Sequence, residues 1–510
     1  MKKKNKILLS ILSVFLLIGI VNVSAITVGS ETGSADPNSK IITDTATLSI
    51  TGVVSEDQFR VYKILDAFYN DSTNVITYEF TDDFQSFLND SSNSDYQKLK
   101  VDDLYAYSSG SITTGSTLSN SDIDKLASAY AGYIKSHSVG GTQMNVSGTT
   151  ASATLQAGSY LVLPTATSRV YAVMVGNLDF TASNNTWAIN NEEIVAKVSD
   201  ADISKSVGEE GYDSGSYSIG DDVPFIITGS IPQYPTNATN KVYTITDTLS
   251  AGLDFTGISS VVIKDGDTAL TTSSDGKVTN AGGQEVAVIS ITGRVMTITF
   301  DVNYVNSTTI TVNYTARLNE NAGLGVNGGN TNSASLTYSN DPYGTGTSTT
   351  VPEEGDGQVD ILVYGLEIYK YATNGGAALE DAEFTIYKDV DLQQVIDVVT
   401  TDSNGIAQYK GLAAGTYYIK ETKAPTGYRL DNSIISVKIG PGEGSLEPAE
   451  TEGYYRLEVA NNEAGLLPVT GGVGTIVFTL VGLAIIAGAF YFFFVYRKKN
   501  EQQEDKWIKR

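Results

Sequence analysis

Apolar and polar residues alternate in short runs through most of this 510-residue chain. Val242-Tyr-Thr-Ile-Thr, Arg294-Val-Met-Thr-Ile-Thr-Phe and Thr309-Ile-Thr-Val-Asn-Tyr each place every second side chain on one face, the signature of half-buried β-strands. Clusters of Gly, Asn, Asp and Ser separate these runs as turns. Helical spacing is confined to Asp122–Tyr133, where Ile123, Leu126, Ala127 and Tyr130 recur along one stripe. The pattern predicts an all-β protein made of sandwiches in series. A break near Lys197–Ala201 and a Gly/Pro/Ser/Thr-rich connector from Asp341 to Gly357 divide it into domains at 26–198, 199–350 and 358–465, with 351–357 as linker.

The two ends read differently. Residues 1–25 carry Lys2, Lys3, Lys4 and Lys6, then an apolar run from Ile7 to Val21, then Val23-Ser24-Ala25. This is the pattern of a secretory signal peptide cut after Ala25. Val473–Tyr496 is uncharged and long enough to cross a bilayer core, and Arg497, Lys498 and Lys499 follow it. The positive-inside rule puts that end in the cytoplasm. Directly before the span stand Leu467, Pro468, Val469, Thr470, Gly471 and Gly472. The arrangement over 466–510 resembles the LPxTG sorting signal of Gram-positive surface proteins. The resemblance implies that a sortase cuts between Thr470 and Gly471 and hands the Thr470 carbonyl to an amine.

Composition narrows the chemistry. Thirty-three basic residues against 58 acidic ones give a net charge of −25 although both ends are basic, so the body repels nucleic acid. The absence of cysteine excludes disulfides, thiolate metal sites and thiol catalysis, and a single histidine, His137, argues against a His-rich metal site or a serine-type triad. Asp265-Gly-Asp267 and Asp275-Gly276 do not fit a calcium loop and read as turns. No cofactor, metal or enzymatic activity is expected.

The last domain is the most legible. Tyr417-Tyr-Ile-Lys-Glu421-Thr-Lys-Ala-Pro-Thr-Gly-Tyr428 resembles the E-box of pilin subunits, and the strands around it resemble the Cna B-type domain, a small immunoglobulin-like sandwich. Gly220-Asp-Asp-Val-Pro-Phe and Thr246-Asp-Thr-Leu-Ser-Ala-Gly-Leu253 resemble the second domain of fimbrial subunits. With the sorting signal, the chain resembles a sortase-assembled major (backbone) pilin of three immunoglobulin-like domains. The resemblance implies secretion, then a covalent polymer of copies of the chain on the cell wall, supporting adhesion and colonisation. Its partners would be pilin-specific and housekeeping sortases, ancillary pilins, peptidoglycan and host surface ligands. The alternative is a monomeric wall-anchored adhesin or a minor pilin at tip or base. Polymerisation needs an exposed acceptor lysine, which the family places in a W-x-x-x-V-x-V-Y-P-K motif. The nearest match runs from Trp187 to Ile194-Val195-Ala196-Lys197, with Ala196 in place of proline and one extra residue after Trp187. Lys197 is therefore the expected acceptor, with Lys205 as competitor.

Strand parity places ionisable groups on apolar faces. Lys370 falls in phase with Leu366 and Ile368, Glu421 with Tyr417 and Ile419, and Asn461 with Leu457 and Val459. In the middle domain Lys205 accompanies Ile203 and Val207, Asp247 accompanies Tyr243 and Ile245, and Asn332 accompanies Ala334 and Leu336. Such groups cost several kcal/mol when buried unpaired. The resemblance implies their use: autocatalytic Lys–Asn isopeptide bonds, Lys370–Asn461 promoted by Glu421 and Lys205–Asn332 promoted by Asp247. A dry core drives the amine towards its neutral, nucleophilic form and the acid towards its protonated form. Lys241 shares the Asp247 face, and Asn462 neighbours Asn461, so both remain alternatives. In the first domain Ala157-Gly-Ser-Tyr-Leu-Val-Leu-Pro164 parallels Ala414-Gly-Thr-Tyr-Tyr-Ile-Lys-Glu421, but proline replaces the acid and no such bond is expected.

Overall fold

The computed structural model describes residues 26–464 and 473–507, apart from 35, 105, 109–110, 114–117, 184–185, 236–237 and 353–356. The expected signal peptide and the Leu467–Gly471 motif lie outside the described residues, as does most of the 351–357 linker. Residues up to 363, with 411–413, form one compact unit, and 364–410 with 414 onwards form the other.

The first unit contains two hydrophobic cores. One lies between a sheet around Gln58–Asn70, Gly158–Ala166 and Met174–Leu178 and a second around Thr45–Thr51 and Thr150–Gln156. Thr45–Thr51 shows why these runs are strands: Ala46, Leu48 and Ile50 are buried while the intervening Thr and Ser face outward. Two helices cover this core. Asn120–His137 contains the expected helical stretch and starts at Ser119, whose hydroxyl accepts from the Asp122 amide. Asp82–Asn89 was not anticipated. Thr81 caps it, and Phe84, Phe87 and Leu88 form its buried face, with Phe84 packed edge-on against Tyr130 at 4.8 Å.

The second core lies between a six-stranded sheet containing Ile203–Val207, Asp222–Ser230 and Thr309–Leu318 and a nine-stranded sheet containing Tyr243–Leu249, Val295–Phe300 and Thr331–Ser339. Gln358–Leu362, assigned from the sequence to the final domain, pairs with Thr331–Ser333 instead, and Val359 and Ile361 join this core. The connector after Ser339 also does more than link. Tyr343, at its tip, is buried in the first core, and Asp341 forms a 2.8 Å ion pair with Lys135 of the long helix. Asn340 and Tyr338 donate to the carbonyls of Thr167 and Ser168.

In the other unit, Tyr364–Ala372 and Tyr454–Asn461 pair in parallel as neighbours in one sheet, and Val395–Thr400, Glu383–Tyr387, Gly415–Lys423 and Ile434–Ile439 form the facing sheet. The last described element is the helix Val473–Trp507, whose segment Val477–Lys499 has a mean hydropathy of 2.3 and is long and apolar enough to cross a membrane.

Candidate functional site

Parallel pairing sets Ala372 opposite Asn461 and Lys370 opposite Val459, so Lys370 and Asn461 sit on adjacent strands with their side chains on the same inner face. Both are buried, and the Lys370 Nζ donates to Asn461 Oδ1 at 2.6 Å. Glu421 reaches them from the facing sheet. Its Oε1 is 3.0 Å from Lys370 Nζ and accepts from Asn461 Nδ2 at 2.8 Å, while Oε2 accepts from the Asp431 amide at 2.8 Å. The Lys370 amine also lies 5.3 Å from the centre of the Phe384 ring. Burial lowers the Lys370 pKa against the opposing pull of Glu421. Asn462, the neighbouring alternative, is exposed.

The middle-domain group is built differently: here the lysine stands in one sheet while the acid and the asparagine stand together in the other. Lys205, opposite Ile227 on an edge strand, points into the core and contacts Asp247 Oδ2 from the facing sheet. Asn332 stands opposite Leu249 on the strand next to Asp247. Between them sits Tyr314, which parity alone did not single out. Its hydroxyl accepts from Lys205 Nζ at 2.9 Å and from Asn332 Nδ2 at 2.7 Å. The rings of Phe225 and Tyr314 each lie 5.4 Å from the amine. Asp247 Oδ1 and Asn332 Oδ1 are buried with no hydrogen-bond partner. Burial pushes the Lys205 pKa down and the Asp247 and Tyr314 pKa values up, the opposite charges within the pair only partly restoring the first two. A neutral amine beside a protonated acid is the arrangement that attack on an amide carbonyl requires. Lys241 takes no part: its amine donates to Asn303 near the surface.

Lys197 stands outside both cores. It follows Glu192–Val195, a strand parallel to Thr45–Thr51, and its carbonyl accepts from the Ala172 amide at 3.0 Å. Its side chain is exposed on a groove of about 400 Å³ lined by Tyr96, Asp124, Lys125 and Tyr234. The two competing lysines thus face opposite ways, Lys205 inward and Lys197 outward. In the first core, Pro164 lies opposite Phe59 in a strand buried almost throughout.

Residues 219–342 match the family described as Gram-positive pilin backbone subunit 2, a Cna-B-like domain. Residues 365–450 match a prealbumin-like fold domain, and 460–502 match the LPXTG cell wall anchor motif. The chain thus carries a Gram-positive pilin-backbone domain, a prealbumin-like domain and an LPXTG cell wall anchor motif, in that order, which fits a surface-displayed, cell-wall-anchored protein. A trypsin-resistant surface T6 protein of Streptococcus pyogenes serotype M6 is 25% identical over 381 residues, which span 60% of this chain and 70% of that one. The solved structure of the three-domain T6 backbone pilin of the same serotype has a TM-score of 0.61 at 20% identity, covering 83% of this chain and 99% of its own, and so shares the fold.

Proposed function

We propose that this chain is the backbone subunit of a surface pilus, in which a sortase joins Thr470 of one copy to Lys197 of the next and finally to peptidoglycan. The bond would exchange a Thr470–Gly471 peptide for a Thr470–Nζ amide, which suits a structural subunit that catalyses nothing on other molecules. The observation that carries the reading is order along the chain: a pilin-backbone domain, a prealbumin-like domain, then the anchor motif with its apolar helix. Exposure of Lys197 on a groove supports its role as acceptor. Ancillary pilins and a dedicated polymerising sortase complete the assembly.

Within each subunit, Lys370 joins Asn461 and Lys205 joins Asn332, each bond releasing ammonia. The contact of Lys370 Nζ with Asn461 at 2.6 Å, with Glu421 on both nitrogens, supports the first. The dry cluster of Lys205, Asp247, Tyr314 and Asn332 supports the second. Immunoblots of wall extracts test the polymer: detergent-resistant ladders are expected from the unsubstituted chain and monomer alone from Lys197→Ala. Ladders that survive that substitution would remove Lys197 from its role. Monomer from the unsubstituted chain would favour a wall-anchored adhesin.

A further inference from the structure

The two buried groups differ in how the acid reaches the reacting nitrogens. In the last domain one Glu421 oxygen contacts both the attacking amine, Lys370 Nζ, and the departing amide nitrogen, Asn461 Nδ2. In the middle domain the acid is Asp247, one methylene shorter, and it contacts the amine while Asn332 Nδ2 finds its partner elsewhere. That partner is Tyr314, whose hydroxyl lies 2.9 Å from Lys205 Nζ and 2.7 Å from Asn332 Nδ2. Both distances are within the range for direct proton transfer. The aromatic ring beside the Lys370 amine is Phe384, which has no hydroxyl.

We propose that Tyr314 is a catalytic residue for the middle-domain bond, carrying a proton from the Lys205 amine to the leaving amide nitrogen of Asn332. The inference rests on the reading of these residues as an isopeptide-forming group. The neutral Lys205 amine gives its lone pair to Asn332 Cγ, and the carbonyl π pair moves onto Oδ1. Nζ, now carrying an excess proton, passes it to the Tyr314 oxygen as the phenolic proton moves to Nδ2. The Cγ–Nδ2 bond breaks, ammonia leaves, the carbonyl re-forms and Tyr314 ends as it began. Asp247, protonated on Oδ1, supplies a donor to a core in which the Asn332 carbonyl oxygen otherwise has none. Burial and the neighbouring Asp247 keep the phenol protonated, as the relay requires.

The test follows the mature chain after a brief pulse of synthesis, scoring the 205–332 and 370–461 cross-linked peptides by mass spectrometry. In Tyr314→Phe, which keeps the ring over Lys205, the 205–332 link is expected to form at least tenfold more slowly, on the scale of general acid–base catalysis. The 370–461 link, formed in the same molecules, should keep its rate and report that the chain has folded. Adding Asp247→Glu, which restores the reach that Glu421 has, should recover most of the lost rate. An unchanged rate in Tyr314→Phe overturns the proposal, and so does a slow rate that the longer acid fails to recover, since that marks a packing role. Absence of the 205–332 peptide from the unsubstituted chain instead overturns the underlying reading of the cluster.

Discussion

The Lys370 amine is fully buried and enclosed by Phe384, the Asn461 amide and the Glu421 carboxyl. Removing one member of such a group strands the others, and under the proposed chemistry the same change abolishes the link. Glu421→Gln is expected to eliminate the 370–461 cross-linked peptide, raise the intact mass by about 16 Da (about 17 of unreleased ammonia less about 1 for the substitution itself) and destabilise the domain by roughly 5 kcal/mol on the loop-closure scale. Denaturant titration beside intact mass checks both. A titrating carboxyl in the strand that precedes Lys197 gives a second expectation. Burial, reinforced by the charge of Asp179, raises Glu192 from 4.5 to about 7, and Asp179 is itself raised by burial. A carboxyl with a raised native pKa favours the folded state below its unfolded value and loses that contribution as pH climbs to the native value. The first domain should therefore melt at lower temperature at pH 8 than at pH 4.5, and Glu192→Gln should flatten the difference. At this scale the sequence was legible wherever charge stood on an apolar face: a lysine in phase with Leu366 and Ile368 stands out. Tyr314 did not, because a tyrosine in phase with Ile310, Val312, Ala316 and Leu318 is what a core strand looks like, and only its hydroxyl reaches across the sandwich.

Among the elements, the long strands followed from their period of two, and the long helix from its stripe. The helix Asp82–Asn89 escaped notice because eight residues give little more than two turns of signal, although Thr81 caps it in the usual way. Gln358–Leu362 carries its own alternation, but nothing local states which neighbour it will pair with. The connector after Ser339 is the more instructive case. Its Asp-Pro-Tyr-Gly composition describes a turn, yet the turn delivers Tyr343 into a core whose other members precede it by more than a hundred residues. Such insertion couples the two cores of the first unit. Tyr343→Ala should destabilise that unit by about 3 kcal/mol, the usual effect of emptying a buried aromatic site, and Tyr343→Phe by much less. Urea unfolding measures both, and equal effects would mean that the ring does not anchor the cores.

For the whole chain, the proposed anchoring and polymer growth rest on one peptide bond, Thr470–Gly471, which precedes the apolar helix in sequence. Thr470→Ala should leave the precursor in membrane fractions with Val473–Trp507 still attached, and no ladder should appear on immunoblots. Ladders from that variant would show that another site is cut. The pairing of Tyr364–Ala372 with Tyr454–Asn461 has a further result for such a fibre under load. Lys370 and Asn461 are 91 residues apart in sequence but adjacent in space. Once they are joined, pulling on the chain either side of them cannot pay out the segment they enclose. A single-molecule stretching trace should then lack any step from this domain, whereas Lys370→Ala should release about 300 Å of slack at ~3.4 Å per residue. With that proposed link in place, the parallel strand pair would make this domain inextensible, a tether whose length is set at folding.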